Sequence, residues 1–364
     1  MKLKNNVAIA GTHGVPAKYG GFETLAENLV KELSNEYNFT VYCNGSIYPK
    51  KSRKTKNKNV KLIHLPFSAS GWQSYIYDFV CLIHAFIFHK NVIYLGPTFG
   101  FMTFLNIILR RNLITNYGGL NEWERPKYNW FQQWLFKINI RIATKFSNFN
   151  VVDNSELKKN IESKFDCKTT IIRYGGDHCM VNESFNAELS KKYSFTKEKY
   201  YLSVARAQVD TNLHLLINTF ENGLDFPLVI VSNWNVSEYG RDLKSRFKEN
   251  KNVILLDAIY DSTELNFIRK SCHLYIHSHS YCGTAPSLVE AICLKLPIIC
   301  FDVPTNRETT LNKSLYFSDK QSLFNIINNL NQNKINKLKL DLNLLVDKNY
   351  TWNKISNDYK KLLI

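Results

Sequence analysis

At 364 residues the chain is too long for one ordinary core and suits two domains, on a scale of about 150 residues each. With 45% hydrophobic and 21% charged residues it can bury large cores, which excludes a disordered chain and fits a soluble globular enzyme. The formal net charge of +16 calls for an anionic counterpart: nucleic acid, an acidic membrane face or a phosphorylated substrate.

The opening "MKLKNNVAIAGTHG" has only a four-residue apolar run before glycine, too short for a signal peptide, so a cytoplasmic protein is expected. "VAIA", "FTVYC", "VKLIHL", "NVIYL", "NLITN" and "FNVVD" read as strands. Between the first two, Phe22, Leu25, Ala26, Leu29, Val30 and Leu33 recur at helical spacing. The basic run "PKKSRKTKNKNVK", residues 49 to 61, reads as a solvated loop. No RRM signature, zinc finger or basic helix with heptads accompanies it, so no nucleic-acid partner is expected. The most apolar region, residues 75 to 111, is broken by Asp78, His84, His89, Lys90, Gly96 and Pro97. It never reaches the roughly 18 uninterrupted apolar residues of a spanning helix, and two helices around a strand fit better.

In the second half "YYLSVA", "PLVIVS", "NVILLD", "HLYIHS" and "LPIICFD" read as strands, with "TNLHLLINTFE", "STELNFIRKS" and "PSLVEAICLK" as helices between them. Such alternation predicts an α/β fold of two Rossmann-like, doubly wound domains, with ligand in the cleft between them. The junction falls near "TTIIRYGGDH", giving domains 1–172 and 178–344. The polar "LFNIINNLNQNKINKLKLDLN" is expected to be helical, and 345–364 ends in an amphipathic helix with Trp352, Ile355, Tyr359 and Leu362 on one face. That last helix is either an ordinary terminal helix or a brace crossing back to the first domain. The eight cysteines are scattered, with no C-x-x-C pair and no Cys/His cluster at zinc spacing; Cys81, Cys272, Cys293 and Cys300 read as buried free thiols.

Two loops carry the candidate chemistry. "GTHGVPAKYGG" follows the first strand, contains four glycines and ends where a helix starts, so its N–H groups can face an anion or a sugar. It lacks G-x-G-x-x-G, which weighs against a dinucleotide dehydrogenase. "CGTAPS" repeats the logic, with Gly283, Thr284 and the helix start beyond Pro286, from Ser287 on, offering N–H donors to a diphosphate. Glu290, one turn into that helix, is either a charge favoured by the helix dipole or a ligand-binding carboxylate. Arg206 follows "YYLSVA" at the strand edge where ligands bind in such sheets, and is either a surface ion-pair member or a ligand contact. His13 and His279 lie near strand ends, where a histidine is more often a hydrogen-bonded structural group than a catalyst; both are kept as site candidates.

Together "GTHGVPAKYGGFETLAENL", "EWERPK", "RYGGD", "HSYCGTAPSLVEA", "FDVPTNRE" and "YTW", in this order, resemble bacterial retaining family 4 glycosyltransferases of GT-B fold. The branch they resemble is that of the rhamnosyltransferases of capsule and O-antigen assembly. The resemblance implies transfer of L-rhamnose from dTDP-rhamnose to an undecaprenyl-linked saccharide, with no metal or other cofactor, at the inner face of the plasma membrane. By the same resemblance Arg206 and Glu290 serve catalysis, and the donor is held by Gly20, Gly21, Arg206, His279, Gly283, Thr284, Pro286, Ser287 and Glu290. The acceptor falls to His13, Lys18, Tyr19, Glu122, Trp123 and Arg125. The positive surface then docks on anionic lipid through residues 72 to 109, which end in Arg110 and Arg111.

Three positions depart from the family's pattern. Asn212 stands where many members have lysine and the branch tolerates asparagine, Cys282 where many have a glutamate and the branch has glycine, and Gly118 where the branch has aspartate. Cys282 and Gly118 keep a catalytically silent partner in view, beside rivals such as a nucleotide-sugar epimerase, an enzyme using a UDP- or GDP-sugar, or a basic nucleic-acid binder.

Overall fold

The computed structural model describes residues 6–364 except 19, 50–52, 54, 119–128 and 181–186. The chain divides into two compact units: Met1–Tyr174 together with Trp352–Ile364, and Gly175–Thr351.

In the first unit seven strands form one sheet: β1 (Asn6–Ala10), β2 (Asn38–Asn44), β3 (Val60–Leu65), β4 (Asn91–Leu95), β5 (Asn112–Asn116), β6 (Phe149–Val152) and β7 (Thr169–Ile171). Their order is β3-β2-β1-β4-β5-β6-β7 and every described pairing is parallel. In the second unit six strands do the same: β8 (Tyr201–Val204), β9 (Leu228–Ser232), β10 (Val253–Asp257), β11 (Leu274–His277), β12 (Ile298–Phe301) and β13 (Leu315–Phe317), in the order β10-β9-β8-β11-β12-β13. Both sheets therefore wind outward one way and then the other, reversing beside their first strand, as the expected doubly wound fold requires.

Parallel strands need crossovers, and the helices supply them while covering the apolar faces. In the first unit Tyr77, Cys81, Leu82 and Ala85 of helix Gln73–Phe88 pack on Ala8, Val92, Tyr94 and Leu113. In the second, Leu216, Ile217 and Phe220 of helix Leu213–Phe220 pack with Ile230, Trp234 and Ile276. Trp234 is completely buried, and its indole N–H donates to the Leu256 carbonyl at 2.7 Å. The cysteines expected in the core, Cys81, Cys272, Cys293 and Cys300, are indeed buried and free.

Three sequence expectations change. β13 was not anticipated, because "LYF" is too short for a periodic signal. The polar stretch after it is two helices, Lys320–Asn328 and Gln332–Asn343, each opened by its own cap: Asp319 accepts from the Ser322 amide and Asn331 from the Lys334 amide. In the last helix, Trp352–Lys360, Trp352, Ile355 and Tyr359 are buried as expected, but Leu363 is buried and Leu362 is not, since the helical period stops at Lys360. This terminal segment is fastened to the first sheet by asparagines. Asn91 and Asn112 donate to the carbonyls of Ile364 and Leu362 at 2.9 and 2.7 Å, and Asn116 donates to the Tyr359 hydroxyl at 2.6 Å.

Asp78 is the exception within the apolar helix Gln73–Phe88. It is buried, its Oδ2 accepts from the Tyr94 hydroxyl at 2.6 Å, and that hydroxyl accepts from the Phe99 amide at 2.9 Å. Burial pushes the Asp78 carboxyl up to about 7, against the opposing pull of the bonds from Tyr94 and Phe99. Because the folded value lies above the unfolded one near 3.9, this group's stabilisation is complete below about pH 4 and lost as pH rises through about 7. Asp78→Asn keeps an acceptor for Tyr94, so it should flatten that part of the pH–Tm curve and raise Tm at pH 8. Thermal melts of both proteins from pH 5 to 8 check this; a variant curve parallel to the parent's would contradict it.

Candidate functional site

In doubly wound sheets ligands bind beyond the carboxyl ends of the strands where the winding reverses. In the second unit that point lies between β8 and β11. The loops that leave these two strands are bound to each other. Ser278 Oγ donates to the Thr211 carbonyl, Asn212 Nδ2 donates to the Ser278 carbonyl at 3.0 Å, and the Ser280 amide donates to the Asp210 carbonyl at 2.9 Å. The loop after β12 joins them, Asn306 Nδ2 donating to the His279 carbonyl at 2.9 Å. Asn212 is thus a clamp between the two loops, held at a left-handed φ of 52°.

Arg206 stands on the loop after β8, exposed and with no ion pair to a described residue, while its carbonyl accepts from Thr211 Oγ1 at 2.9 Å. Helix Pro286–Cys293 begins just after β11 with proline in its first turn and no side-chain cap, so its first-turn N–H groups are not taken by a capping side chain. Gly283 and Thr284 are buried ahead of it, and Pro286, Ser287 and His279 are half-buried.

Glu290 lies one turn further in, and its carboxylate is already engaged. Oε2 pairs with Nη2 of Arg269, from helix Ser262–Ser271, and Oε1 lies 3.3 Å from Nε2 of His178. Arg269 is only 4% exposed, so this is a nearly dry ion pair. Burial pushes the Glu290 carboxyl up, but Arg269 and His178 more than offset it and hold the group below the usual carboxylate range. Arg269 is extended further by Asn266, whose Nδ2 donates to the Cys179 carbonyl at 3.2 Å. Glu290 therefore ties together two helices and the turn Asp177–Cys179, a role the sequence reading did not foresee. Arg269 escaped notice because it sits inside "STELNFIRKS" as one of many helical basic residues.

In the first unit the reversal lies between β1 and β4. The loop after β1 crosses the end of β4 so closely that a Cβ on Gly11 would lie 2.0 Å from the Leu95 carbonyl oxygen, and Gly11 has φ of 81°. The loop's donors do not all face outward, as expected from the glycines. Glu23, buried in helix Gly21–Leu33, accepts from Thr12 Oγ1 at 2.9 Å and from the His13 amide at 2.7 Å. His13 is buried, with Nδ1 3.4 Å from Asn44 Nδ2 and its carbonyl accepting from the Asn44 amide at 2.8 Å. Burial lowers the His13 pKa, partly offset by Glu23. Lys18 and Gly20 are exposed and Gly21 half-buried; the Lys18 ammonium lies 5.1 Å from the Tyr48 ring centre. Gly118 is explained by packing: a Cβ there would lie 2.9 Å from the Phe22 ring, so an aspartate would require Phe22 to move. Tyr19, Glu122, Trp123 and Arg125 lie outside the described residues.

At the end of β11 the structure also brings together His277, His279 and Cys282, whose ligand-type atoms all lie within 4.8 Å of one another. The two histidine rings meet edge to face with centres 4.3 Å apart. No sequence spacing marks this group, because its members straddle a strand end.

Residues 4–177 match the family described as "Domain of unknown function (DUF1972)", and residues 185–340 match "Glycosyl transferases group 1". The uncharacterized glycosyltransferase MJ1059 of Methanocaldococcus jannaschii is 25% identical over 185 residues, covering 48% of this chain and 45% of the relative, so the chain matches less than half of that protein's length. Sucrose-phosphate synthase from Thermosynechococcus elongatus superposes with a TM-score of 0.79 at 13% identity, over 98% of both chains. Anabaena Alr3699/HepE in complex with UDP-glucose superposes at 0.74 with 12% identity, again over 98% of both. The chain thus has the two-sheet fold of GT-B glycosyltransferase structures, and the glycosyl transferases group 1 family is supported through its second unit.

Removing one partner of a nearly dry ion pair strands the other, at a cost of about 3–5 kcal/mol, whereas apolar replacement of both is often close to neutral. Glu290→Ala should therefore lower Tm more than the double variant Arg269→Met/Glu290→Met. Because Glu290 has its folded pKa lowered, its contribution is present above the unfolded value and lost as pH falls through the folded one, so the gap between parent and double variant should narrow on acidification. Differential scanning calorimetry across pH 3 to 7 reads both, and a double variant less stable than Glu290→Ala at neutral pH would disprove the pairing.

Proposed function

We propose that the chain is a glycosyltransferase that binds a nucleotide-sugar at the reversal point of its second sheet and transfers the sugar to a hydroxyl of a lipid-linked saccharide. What carries the reading is a coincidence of place. The segment matching glycosyl transferases group 1 contains that reversal point, and there an exposed Arg206 and the uncapped start of helix Pro286–Cys293 stand on loops bound to each other. An arginine and oriented N–H groups are what a departing diphosphate needs, since they meet the charge that builds as the bond from the sugar's anomeric carbon to the phosphate oxygen breaks. The acceptor oxygen forms the new bond on the same face, and its proton passes to the leaving diphosphate, so no enzymic nucleophile is required. Glu290, fixed by Arg269, is within one helical turn of this start and offers the ribose a carboxylate edge.

The donor most in keeping with the motifs is dTDP-rhamnose, used in bacterial surface-polysaccharide assembly. A UDP-hexose is the second reading, favoured by the likeness to a protein solved with UDP-glucose. Among the described residues no helix is long and apolar enough to cross a membrane. A peripheral contact is instead supported in the first unit. Trp72 and Phe79 beside and on helix Gln73–Phe88, Ile107 and Ile108, and Trp130 and Trp134 on helix Trp130–Phe146 are all exposed. These elements adjoin one another, the Phe101 amide donating to Asn139 Oδ1 at 2.9 Å. Aromatic and aliphatic side chains on a chain of net charge +16 fit the interface of an anionic leaflet.

Thermal shifts with dTDP, UDP, GDP and ADP, each with and without magnesium, test the donor. At about a hundred times its Kd a bound nucleotide stabilises by about 2.7 kcal/mol. A magnesium-independent shift with dTDP, lost in Arg206→Ala, is expected; a shift with UDP alone selects the second reading, and none with any nucleotide overturns the glycosyltransferase. For the membrane contact, sedimentation should show the protein with vesicles containing phosphatidylglycerol and not with pure phosphatidylcholine, with salt and Trp130→Ala/Trp134→Ala each weakening it. Equal binding to both lipids would refute an anionic surface.

A further inference from the structure

We infer that His277, His279 and Cys282 form a site for a zinc-type ion at the end of β11, a role separate from the nucleotide-sugar reading and independent of it. His277 and His279 are two residues apart where β11 runs out, so they share one side of the extended chain. Cys282 returns on the following loop. The three ligand-type atoms lie within 4.8 Å of one another. Ligands sharing a tetrahedral ion, with bonds of about 2.0–2.3 Å, sit roughly 3.3–3.7 Å apart, so the group must close by about an ångström. Cys282 is on a loop and half-buried, which gives it room to make that movement.

His277 supplies the second, independent sign. It is 1% exposed, and its Nε2 has no hydrogen-bond partner among the described residues. A buried polar atom left unsatisfied costs about 1–3 kcal/mol, so an electrophile that engages it recovers that cost. Two imidazoles and a thiolate are a donor set that selects zinc over magnesium or calcium, which prefer oxygen. Three protein ligands leave one tetrahedral position for water or an oxygen of a bound ligand. Elsewhere among the described residues no other three histidine, cysteine or acidic side chains are gathered in this way.

Occupancy would join the strand end to the loop that carries Gly283 and Thr284, so the ion's first effect is to stiffen that loop. Cys282, which departs from the branch's glycine, then gains a purpose: it is the ligand that turns a histidine pair into a metal site.

The test uses the intact, reduced and chelator-treated protein without nucleotide, titrated with Co2+ as a spectroscopic substitute and then with Zn2+. The expected result is a thiolate-to-cobalt charge-transfer band that saturates at one equivalent and is displaced by Zn2+. Cys282→Ser should abolish the band, and His279→Gln should weaken Zn2+ binding by at least about tenfold, since even the loss of a ligand's outer partner costs 10–100-fold. His277→Gln should do the same, and His279→Gln and Cys282→Ser decide the matter if that buried variant does not fold. Zn2+ should also raise the Tm of the parent and not of Cys282→Ser. Absence of a saturable band, or its persistence in Cys282→Ser, overturns the site, whichever nucleotide the protein binds.

Discussion

A parallel strand cannot reach its neighbour by a short turn, and this single constraint organises both units. Each strand must be followed by a crossover that returns the chain to the same starting edge, so all the loops leaving strands gather at the opposite edge. Where the winding reverses, two such loops diverge to opposite faces of the sheet and leave a crevice. The chain spends its hydrogen bonds there on loop-to-loop contacts: Ser278, Ser280 and Asn212 in one unit, Thr12, His13 and Glu23 in the other. Rigid loops at a crevice are a means of holding groups where a ligand arrives, and Arg206 and the start of helix Pro286–Cys293 owe their placement to them.

Electrostatics at Glu290 shows how a site residue can have two duties. Its carboxylate compensates Arg269, which would otherwise be a stranded charge in the core, and at the same time lies one turn from the helix start where a diphosphate is proposed to bind. Holding the carboxylate ionised and fixed in direction removes the entropy that a free side chain would lose on meeting a ribose. The same pairing means that removing Glu290 damages structure and ligand contact together, so only a variant that removes Arg269 as well separates the two.

Most strands were legible because buried parallel strands are continuous apolar runs bounded by glycine, proline or polar residues; "VKLIHL" and "NVIYL" match β3 and β4 residue for residue. β13 was not, because three residues carry no period. The candidate site was legible where backbone geometry decides it, in the glycine loops and the proline at a helix start. It was illegible where tertiary contacts decide it. Nothing in "STELNFIRKS" marks Arg269 as the buried one of its basic residues, and nothing in "GGFETL" marks Glu23 as turned toward the preceding loop. The grouping of His277, His279 and Cys282 was illegible for a related reason, since a strand and a loop set their distances and no sequence spacing does.

The first unit is made of two separated pieces of chain, and its last piece is the helix Trp352–Lys360 with the residues after it. On the ribosome the strands β1 to β7 emerge long before the asparagine partners of Ile364, Leu362 and Tyr359 can be engaged, whereas the second unit is contiguous and can complete its core on its own. The usual N-terminal-first order of domain completion is therefore reversed here: the unit begun first is the one that must wait, with Asn91, Asn112 and Asn116 uncovered, until the whole of the second unit and the segment Trp352–Ile364 after it have been made.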